Sequence, residues 1–282
     1  MGKVGIVTDS AAYLEPGVAR HLGITVIPLT IRFGDKALRH GIDITTEGFL
    51  RRFKRSSTPP IVLPPSVELL EGVYTKLSRT TDEILSIHVS SKLNPFFQEA
   101  RSAATALLGR CQIVVMDSLT TSLGLGILVT AAAKAAEEGR SLSEIIHLVR
   151  GMIPRIYGAF VTERLDFLER DKRIDKAQAI LGTMLGIKPF LTIEEGEIIP
   201  IEKVLTREEA LDRLFEFVTE FSYLERVAVV QSIPHPTEET KFLIEQLEMA
   251  FPDLNFPILL YDPVLASHIG PDAIGVIVYE GL

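Results

Sequence analysis

Three short apolar runs in this chain each end at a cluster of hydroxyl-bearing residues. The runs and the residues that follow them are 4–7 with Thr8-Asp9-Ser10, 84–89 with Ser90-Ser91, and 113–116 with Asp117-Ser118. Short apolar runs that alternate with helical segments are typical of parallel strands buried on both faces of a sheet. Ligands of such sheets bind outside the carboxyl ends of the strands, so we expect these clusters to line one polar crevice. The pattern favours a site for a polar head group and disfavours a metal site.

Length and composition exclude several classes of protein. The chain has 282 residues, 46% of them hydrophobic, which allows one large domain or two ordinary ones. The net charge of −8 argues against a nucleic-acid binder, and the single cysteine excludes a disulfide framework and a cysteine-based metal site. No apolar stretch reaches the roughly 20 residues of a membrane span, and the first strand begins without a signal peptide. We therefore expect a cytoplasmic, soluble protein with no integral membrane segment.

Strand and helix signals predict an α/β fold of two domains, residues 1–155 and 156–282. In the first, strands alternate with capped helices, as expected for a parallel, Rossmann-like sheet; Asn94-Pro95 and the capping box from Ser141 to Glu144 mark two helix starts. After residue 156 the pattern changes to short charged helices, 163–169 and 175–185, and a hairpin around Glu195-Gly196. The second domain is predicted to be smaller. Interfaces between domains are favoured ligand sites, so we expect the ligand between the two.

Segment 56–66 contains four prolines and is predicted to be extended. It is either a rigid surface connection or a wall over the apolar part of the site. Elsewhere the chain has no phosphate-binding loop, dinucleotide fingerprint, nucleophile elbow or zincin motif, which weighs against the corresponding enzymes. The glycines at 124 and 126 indicate close packing of a helix on the sheet.

His268 lies in a predicted loop between two C-terminal strands, beside Gly270 and Pro271. A lone histidine is more often structural than functional, but an imidazole on a defined turn can donate a hydrogen bond to an acid. Among the cations, Arg173, Lys203 and Arg207 either belong to ordinary solvated surface or form a local cationic rim. Both interpretations stay open.

These segments together resemble the DegV family, fatty-acid-binding proteins that carry lipid for bacterial fatty acid kinase. The matching segments are Thr8-Asp9-Ser10 (TDS), His40 to Ile44 (DxxDI, with His for the first Asp), Ser90 to Leu93 (SSxL), Asp117 to Gly124 (DSxxxSxG), Leu168 to Ile174 (LxKGGRI), Ile187 to Pro189 (IKP), Glu202 to Arg207 (K-rT) and His268 to Pro271 (HxGP). Each motif alone is weak, but their order along nearly the whole chain is specific.

The resemblance implies an acyl chain, such as palmitate, buried between the two domains, and no catalytic residue, metal or other cofactor. It implies that Ser90 or Ser91 and His268 hold the carboxylate; we prefer Ser91 because it lies further past the strand end. Ser118, Ser122 and Gly270 then belong to the pocket or its loops. The implied partners are a long-chain fatty acid and an ATP-dependent kinase subunit, with Arg173, Lys203 and Arg207 as the rim that faces the partner or its phosphate.

One family loop is altered in this chain. The Thr-Ser pair of the family's TSQP loop corresponds to Val62-Leu63, so two head-group hydroxyls are missing, and Thr58 substitutes only if the loop is re-registered. Two other functions therefore stay open. One is a Ser/His acyl hydrolase or transferase with His268 as base, for which no acidic orienting residue stands out. The other is a binder of a different small acid.

Overall fold

The structure is a computed structural model that describes residues 3–56, 58–170 and 182–281. Its chain separates into two compact units. One comprises the chain up to Thr45 together with Pro60–Pro154, and the other comprises Thr46–Pro59 together with the chain from Arg155 onward. Each unit has its own sheet. The predicted α/β fold, with a parallel sheet in the N-terminal part and a second sheet in the C-terminal part, is confirmed.

Thirteen strands are found in the described residues. In chain order they are β1 (Gly5–Asp9), β2 (Thr25–Ile27), β3 (Thr30–Phe33), β4 (Lys36–Arg39), β5 (Ile61–Leu63), β6 (Glu83–His88), β7 (Gln112–Asp117), β8 (Ile156–Val161), β9 (Lys188–Glu194), β10 (Glu197–Val204), β11 (Leu224–Gln231), β12 (Ile258–Leu260) and β13 (Ile274–Glu280).

Helices alternate with these strands. They are α1 (Val18–Leu22), α2 (Thr46–Arg55), α3 (Val67–Leu77), α4 (Phe96–Thr105), α5 (Ser122–Glu137), α6 (Leu142–Met152), α7 (Asp166–Arg170), α8 (Arg207–Thr219), α9 (Glu238–Ala250) and α10 (Pro263–Ile269), with a 3₁₀ turn at Ile153–Arg155. Across the described ranges, no helix is long and apolar enough to cross a bilayer. The predicted helix 175–185 lies mostly outside the described residues.

The first unit is built on the parallel sheet β2-β1-β6-β7. Val7 lies opposite Ser86, and His88 lies opposite Asp117, so β1, β6 and β7 end at the same edge. Helix α5 is buried along most of its length, as expected for a helix that is apolar all round. The predicted strand 24–31 is wrong as a single element. It is interrupted at Pro28, which has no N–H for a ladder, and β3 joins a separate antiparallel sheet, β4-β3-β5.

Local capping signals predict the helix starts well. Ser141 Oγ accepts a hydrogen bond from Glu144 N at 3.4 Å, and the Glu144 carboxylate accepts one from Ser141 N at 2.9 Å, which completes the predicted capping box. Asn94 Oδ1 accepts from Phe96 N at 3.1 Å. Helix α4 therefore begins one residue later than predicted, with Pro95 immediately before it.

The second unit contains a six-stranded sheet in the order β10-β9-β8-β13-β11-β12, antiparallel except for the pair β11 and β12. This unit also includes Thr46–Pro59, a segment that the sequence pattern placed in the first domain. Helix α2 in this segment buries Phe49, Leu50 and Phe53. The ring of Phe53 meets that of Phe167 edge-on at 5.7 Å, so aromatic packing holds the segment in the second unit.

Candidate functional site

The predicted polar crevice begins at the ends of β1 and β6, where a buried carboxylate joins the two strands. The Asp9 carboxylate accepts hydrogen bonds from Ala11 N and Val89 N, both at 2.9 Å, and lies 3.1 Å from His88 Nδ1. Asp9 and His88 are both 0% exposed. Their side chains fix the loop that follows each strand.

The chain of hydrogen bonds continues from His88 into the core. His88 Nε2 lies 2.7 Å from Ser86 Oγ, which in turn lies 2.9 Å from the Tyr74 hydroxyl. The His88 ring also stacks on Phe96, with centroids 4.3 Å apart. Burial raises the pKa of Tyr74 to about 12, although the hydrogen bond with Ser86 opposes the shift.

Asp9, His88 and Ser86 follow each other in the order of a catalytic triad. Ser86 and His88 are nevertheless completely buried within the sheet, so a substrate cannot reach this serine. The network braces the strand ends. Sequence reasoning missed His88 and Ser86, although two polar residues inside an apolar run were a signal for a buried hydrogen-bonded pair.

The Ser90-Ser91 loop is hydrogen-bonded to the loop that follows β7. Ser90 N donates to the Thr120 carbonyl at 2.9 Å, and Ser91 N donates to the Asp117 carboxylate at 3.2 Å. Ser90 is fully buried, and its hydroxyl oxygen accepts from Lys92 N at 3.2 Å, whereas Ser91 is only partly buried. Of the two hydroxyls predicted to hold a head group, that of Ser91 is the more accessible.

The loop between β7 and α5 has an internal hydrogen-bond network. The Ser118 hydroxyl donates to the Thr120 carbonyl at 3.1 Å, and Ser118 itself is completely buried. The Asp117 carboxylate also accepts from Leu119 N at 3.1 Å. Ser118 therefore shapes the loop, and Ser122, the other pocket residue predicted here, begins helix α5. The hydroxyl-rich ends of β6 and β7 do come together.

Segment 56–66 divides between the two units. Val62 and Leu63 form β5 and pair with β3, and the Val62 carbonyl accepts from Asn94 Nδ2 at 3.1 Å. The predicted extended conformation is therefore correct at β5. Thr58 belongs to the second unit, where it is exposed and its carbonyl accepts from the Ser56 hydroxyl at 2.6 Å.

The predicted loop around His268 is wrong, because His268 lies in the last turn of α10. Asp262 caps this helix by accepting hydrogen bonds from Val264 N at 2.8 Å and Leu265 N at 3.2 Å. Pro263 follows as the first helical residue, which is its preferred position. The Asp-Pro pair was a local start signal that the sequence interpretation overlooked.

Gly270 ends the same helix in a conformation that other residues rarely adopt. Its φ is 86°, and a Cβ there would lie 2.7 Å from the Phe167 ring. Its carbonyl accepts a hydrogen bond from the Tyr261 hydroxyl at 3.0 Å. The turn that carries His268 is thus held rigidly against the core of the second unit.

The three cations of the predicted rim differ in their surroundings. Arg207 Nε lies 3.1 Å from the Glu163 carboxylate and 3.2 Å from that of Glu239. Lys203 is exposed on β10, an edge strand. Arg173 lies outside the described residues. An incoming phosphate would have to compete with two carboxylates for Arg207.

An apolar cavity of about 330 Å³ lies within the second unit. Its lining residues are Leu165, Leu168, Gly182, Leu185, Ile187, Pro189, Pro200, Ile201, Glu202 and Lys203. This volume is within the range of small-molecule pockets. In the described ranges, no group of three or more His, Cys, Asp or Glu side chains could hold a metal ion.

Comparison with known proteins gives the chain a family. The family model described as "Uncharacterised protein, DegV family" matches residues 3–281. The chain belongs to the DegV family. A DegV domain-containing protein from Caldanaerobacter subterraneus is 33% identical over 99% of this chain and all of its own.

Solved DegV structures show the same fold. A fatty acid binding DegV family protein from Streptococcus agalactiae is 26% identical, with a TM-score of 0.85 over 100% of both chains. A DegV family protein from Thermus thermophilus, described by its fatty acid binding, is 28% identical, with a TM-score of 0.83 over 99% of this chain and 100% of its own. These structural neighbours of our DegV protein bind fatty acids.

His40, which stands in place of the first Asp of the family's DxxDI motif, lies in a buried site. His40 is 6% exposed, and its Nδ1 lies 3.0 Å from Ser10 Oγ. Burial lowers its pKa from 6.5 to about 4, although the contact with Ser10 and the charge of Asp9 oppose the shift. The folded protein therefore keeps a neutral imidazole at this position.

The depressed pKa of His40 makes stability depend on pH. Between pH 6.5 and 4 the unfolded chain binds a proton at His40 and the folded chain does not. The contribution of the neutral His40 to the free energy of unfolding is therefore complete above pH 6.5 and decreases as the pH falls toward 4. We expect a loss of about 3 kcal/mol in the free energy of unfolding across this window. Urea unfolding at several pH values measures it. His40→Gln should make the free energy of unfolding depend less on pH in this window. The control His147→Gln, on the exposed face of α6, should leave that dependence unchanged. Equal slopes in the wild type and both variants would contradict the role of His40.

Proposed function

We propose that this DegV protein is a non-enzymatic carrier of a long-chain fatty acid such as palmitate. Ser91, with Ser90 beside it, holds the carboxylate, and His268 donates a further hydrogen bond to it. The observation that carries the proposal is the cluster of hydroxyl residues at the ends of β6 and β7. Fatty acid binding by DegV proteins of the same fold from Streptococcus agalactiae and Thermus thermophilus supports it.

The energetics of such a ligand assign different roles to its two ends. Burying a dozen methylenes contributes about 0.8 kcal/mol each, or roughly 10 kcal/mol before entropy losses. A charge-assisted hydrogen bond to the carboxylate adds about 1.5–3 kcal/mol. The tail therefore dominates affinity, and the polar groups determine which end is held and how the head group is oriented.

The rest of the proposal concerns the use of the bound acid. The protein presents the carboxylate, in the cytoplasm, to a partner kinase subunit that supplies ATP and phosphorylates it. Lys203 and Arg207, together with Arg173, face the partner or its phosphate. The order of the DegV motifs along the chain supports this role. Because Arg207 already contacts two carboxylates, Lys203 is the more available of the two described cations.

Two measurements test fatty acid binding. Mass spectrometry of a solvent extract of the purified protein should detect a long-chain fatty acid, and the delipidated protein should take up palmitate. Ser91→Ala should weaken palmitate binding about tenfold, since one charge-assisted hydrogen bond is lost. Ser143→Ala, on the exposed surface of α6, is the matched control and should bind as the wild type does. A protein that is repeatedly free of lipid and takes up no palmitate would refute the proposal.

A further inference from the structure

A small polar cavity lies in the second unit at the carboxyl end of β11. Its volume is about 110 Å³. A single water needs about 10–15 Å³, so the cavity has room for a small molecule. Strand β11 is followed by α9 and then by β12, which pairs with it in parallel, and ligands of such βαβ units bind at the carboxyl ends of the strands. The lining includes Lys54, Arg207, Gln231, Thr237, Glu239 and Asp272.

Gln231, the last residue of β11, brings an unused acceptor to this cavity. The residue is 4% exposed, and its Nε2 donates to the carbonyls of Ile233 and His235, both at 2.7 Å. A flipped amide would place Oε1 against these two carbonyl oxygens, so the hydrogen bonds fix its orientation. Oε1 is buried and has no hydrogen-bond partner among the described residues. A buried acceptor that is left unpaired is costly and needs an explanation.

Arg207, the first residue of α8, brings an unused donor to the same cavity. Its Nε lies 3.1 Å from the Glu163 carboxylate and 3.2 Å from that of Glu239, and these contacts hold the guanidinium in place. Its Nη1 is buried and, within the described ranges, has no hydrogen-bond partner. A guanidinium nitrogen only donates, so Nη1 requires an acceptor. One cavity is therefore lined by a residue with a free donor and by a residue with a free acceptor.

The charged groups of the described lining are already paired with one another. Lys54 Nζ lies 2.8 Å from the Asp272 carboxylate, and Arg207 contacts Glu239. Two cations and two carboxylates give the described lining no net charge. An added anion would lie beside Glu239 or Asp272, and an added cation would lie beside Lys54 or Arg207, each at a cost in repulsion. A neutral ligand avoids both costs.

We propose that this cavity binds a small neutral molecule with a carboxamide group, in which a carbonyl oxygen and an N–H lie side by side. The carbonyl accepts a hydrogen bond from Arg207 Nη1, and the N–H donates one to Gln231 Oε1, so a single ligand satisfies both groups. The site uses none of the residues proposed to hold a fatty acid carboxylate. Palmitate binding therefore neither supports nor contradicts it, and the two proposals fail separately.

Four probes of nearly equal size and shape test the inference on the full-length protein. Acetamide carries an acceptor and a donor, acetone carries only the acceptor, acetate is an anion, and acetamidinium is a cation. In ¹H–¹⁵N NMR titrations, acetamide should shift the backbone amide signals between Gln231 and Thr240 in a saturable way, with a dissociation constant in the millimolar range. Acetone should bind about tenfold more weakly, because Gln231 Oε1 then stays unpaired. Acetate and acetamidinium should also bind about tenfold more weakly or worse, since each adds an unpaired charge.

A substitution at Arg207 tests the donor. Arg207→Lys keeps a positive charge beside Glu163 and Glu239 but removes Nη1, so acetamide should bind about tenfold more weakly. Arg213→Lys, at a surface ion pair on the same helix, is the matched control and should bind acetamide as the wild type does. The comparison of acetamide with acetone uses the wild type alone, so the inference can be tested even if Arg207→Lys does not fold.

Three results would overturn the inference. Acetamide shifts that stay linear up to about 100 mM would mean that the cavity holds only water. Acetate or acetamidinium binding as tightly as acetamide would show that the site selects charge and not a carboxamide. Equal binding of acetamide to the wild type and to a folded Arg207→Lys would show that Nη1 is not its donor. A preference for acetamide over acetone that is lost in Arg207→Lys and kept in Arg213→Lys supports the site.

Discussion

Replacing Gly126 with alanine is expected to destabilise the first unit by more than about 3 kcal/mol. The new Cβ would lie 1.7 Å from the Tyr13 carbonyl oxygen and 2.8 Å from its carbonyl carbon. Alanine gains about 1 kcal/mol in helix propensity over glycine, which does not offset a clash between two backbone segments. Neither the Tyr13 backbone nor α5 can move easily. Tyr13 N donates a hydrogen bond to the Ser122 carbonyl, and α5 is buried along most of its length.

Urea unfolding followed by circular dichroism measures this effect, with Gly72→Ala as the matched control. Gly72 lies in α3, where an added Cβ meets no atom within 4 Å among those described. The same substitution there should stabilise the protein by about 0.5–1 kcal/mol. An unfolding midpoint for Gly126→Ala at or above that of the wild type would show that the helix is not in close contact with the Tyr13 backbone.

The second large effect is expected at Asp9. Asp9→Ala should reduce the free energy of unfolding by about 3–5 kcal/mol, since it leaves Ala11 N, Val89 N and the His88 ring without their buried acceptor. Asp9→Asn keeps one acceptor oxygen and should lose less. Chemical denaturation at neutral pH gives both values.

The control for Asp9 is a carboxylate on the surface. Asp212, exposed on α8, should tolerate alanine with a change within about 0.5 kcal/mol. Similar midpoints for Asp9→Ala and Asp212→Ala would mean that the network of Asp9 and His88 does not hold the strand ends. The result also bears on function, because this network fixes the loop that carries Ser90 and Ser91.

Much of the fold was predictable because its signals are local. The apolar runs before Thr8, Ser90 and Asp117 predicted the parallel strands, since burial on both faces requires continuous apolar sequence. Ser141 with Glu144 predicted a helix start, because a cap uses residues only three positions apart. The gathering of hydroxyl residues at the strand ends followed from the geometry of parallel strands.

The candidate site was less predictable, since its contacts join distant parts of the chain. Asp9 and His88 are 79 positions apart, and no local pattern indicates that they share a hydrogen bond. The predicted loop at His268 is wrong because the glycine and proline that follow it only end the helix and do not prevent it. The cap by Asp262 and the first-turn Pro263 determined the conformation instead.

The sequence by itself determined the family, the alternation of strands and helices, and the edge of the sheet at which polar residues collect, because periodicity, caps and motif order are written along the chain. Only the tertiary structure decided three other features. They are the unit that holds Thr46–Pro59, the donors that hydrogen-bond to the Asp9 carboxylate, and the burial of the Ser122 and Thr8 hydroxyls, which have no hydrogen-bond partner in the described residues. These features depend on packing between segments far apart in sequence, where van der Waals contact and hydrogen-bond geometry, and not local propensity, determine the outcome.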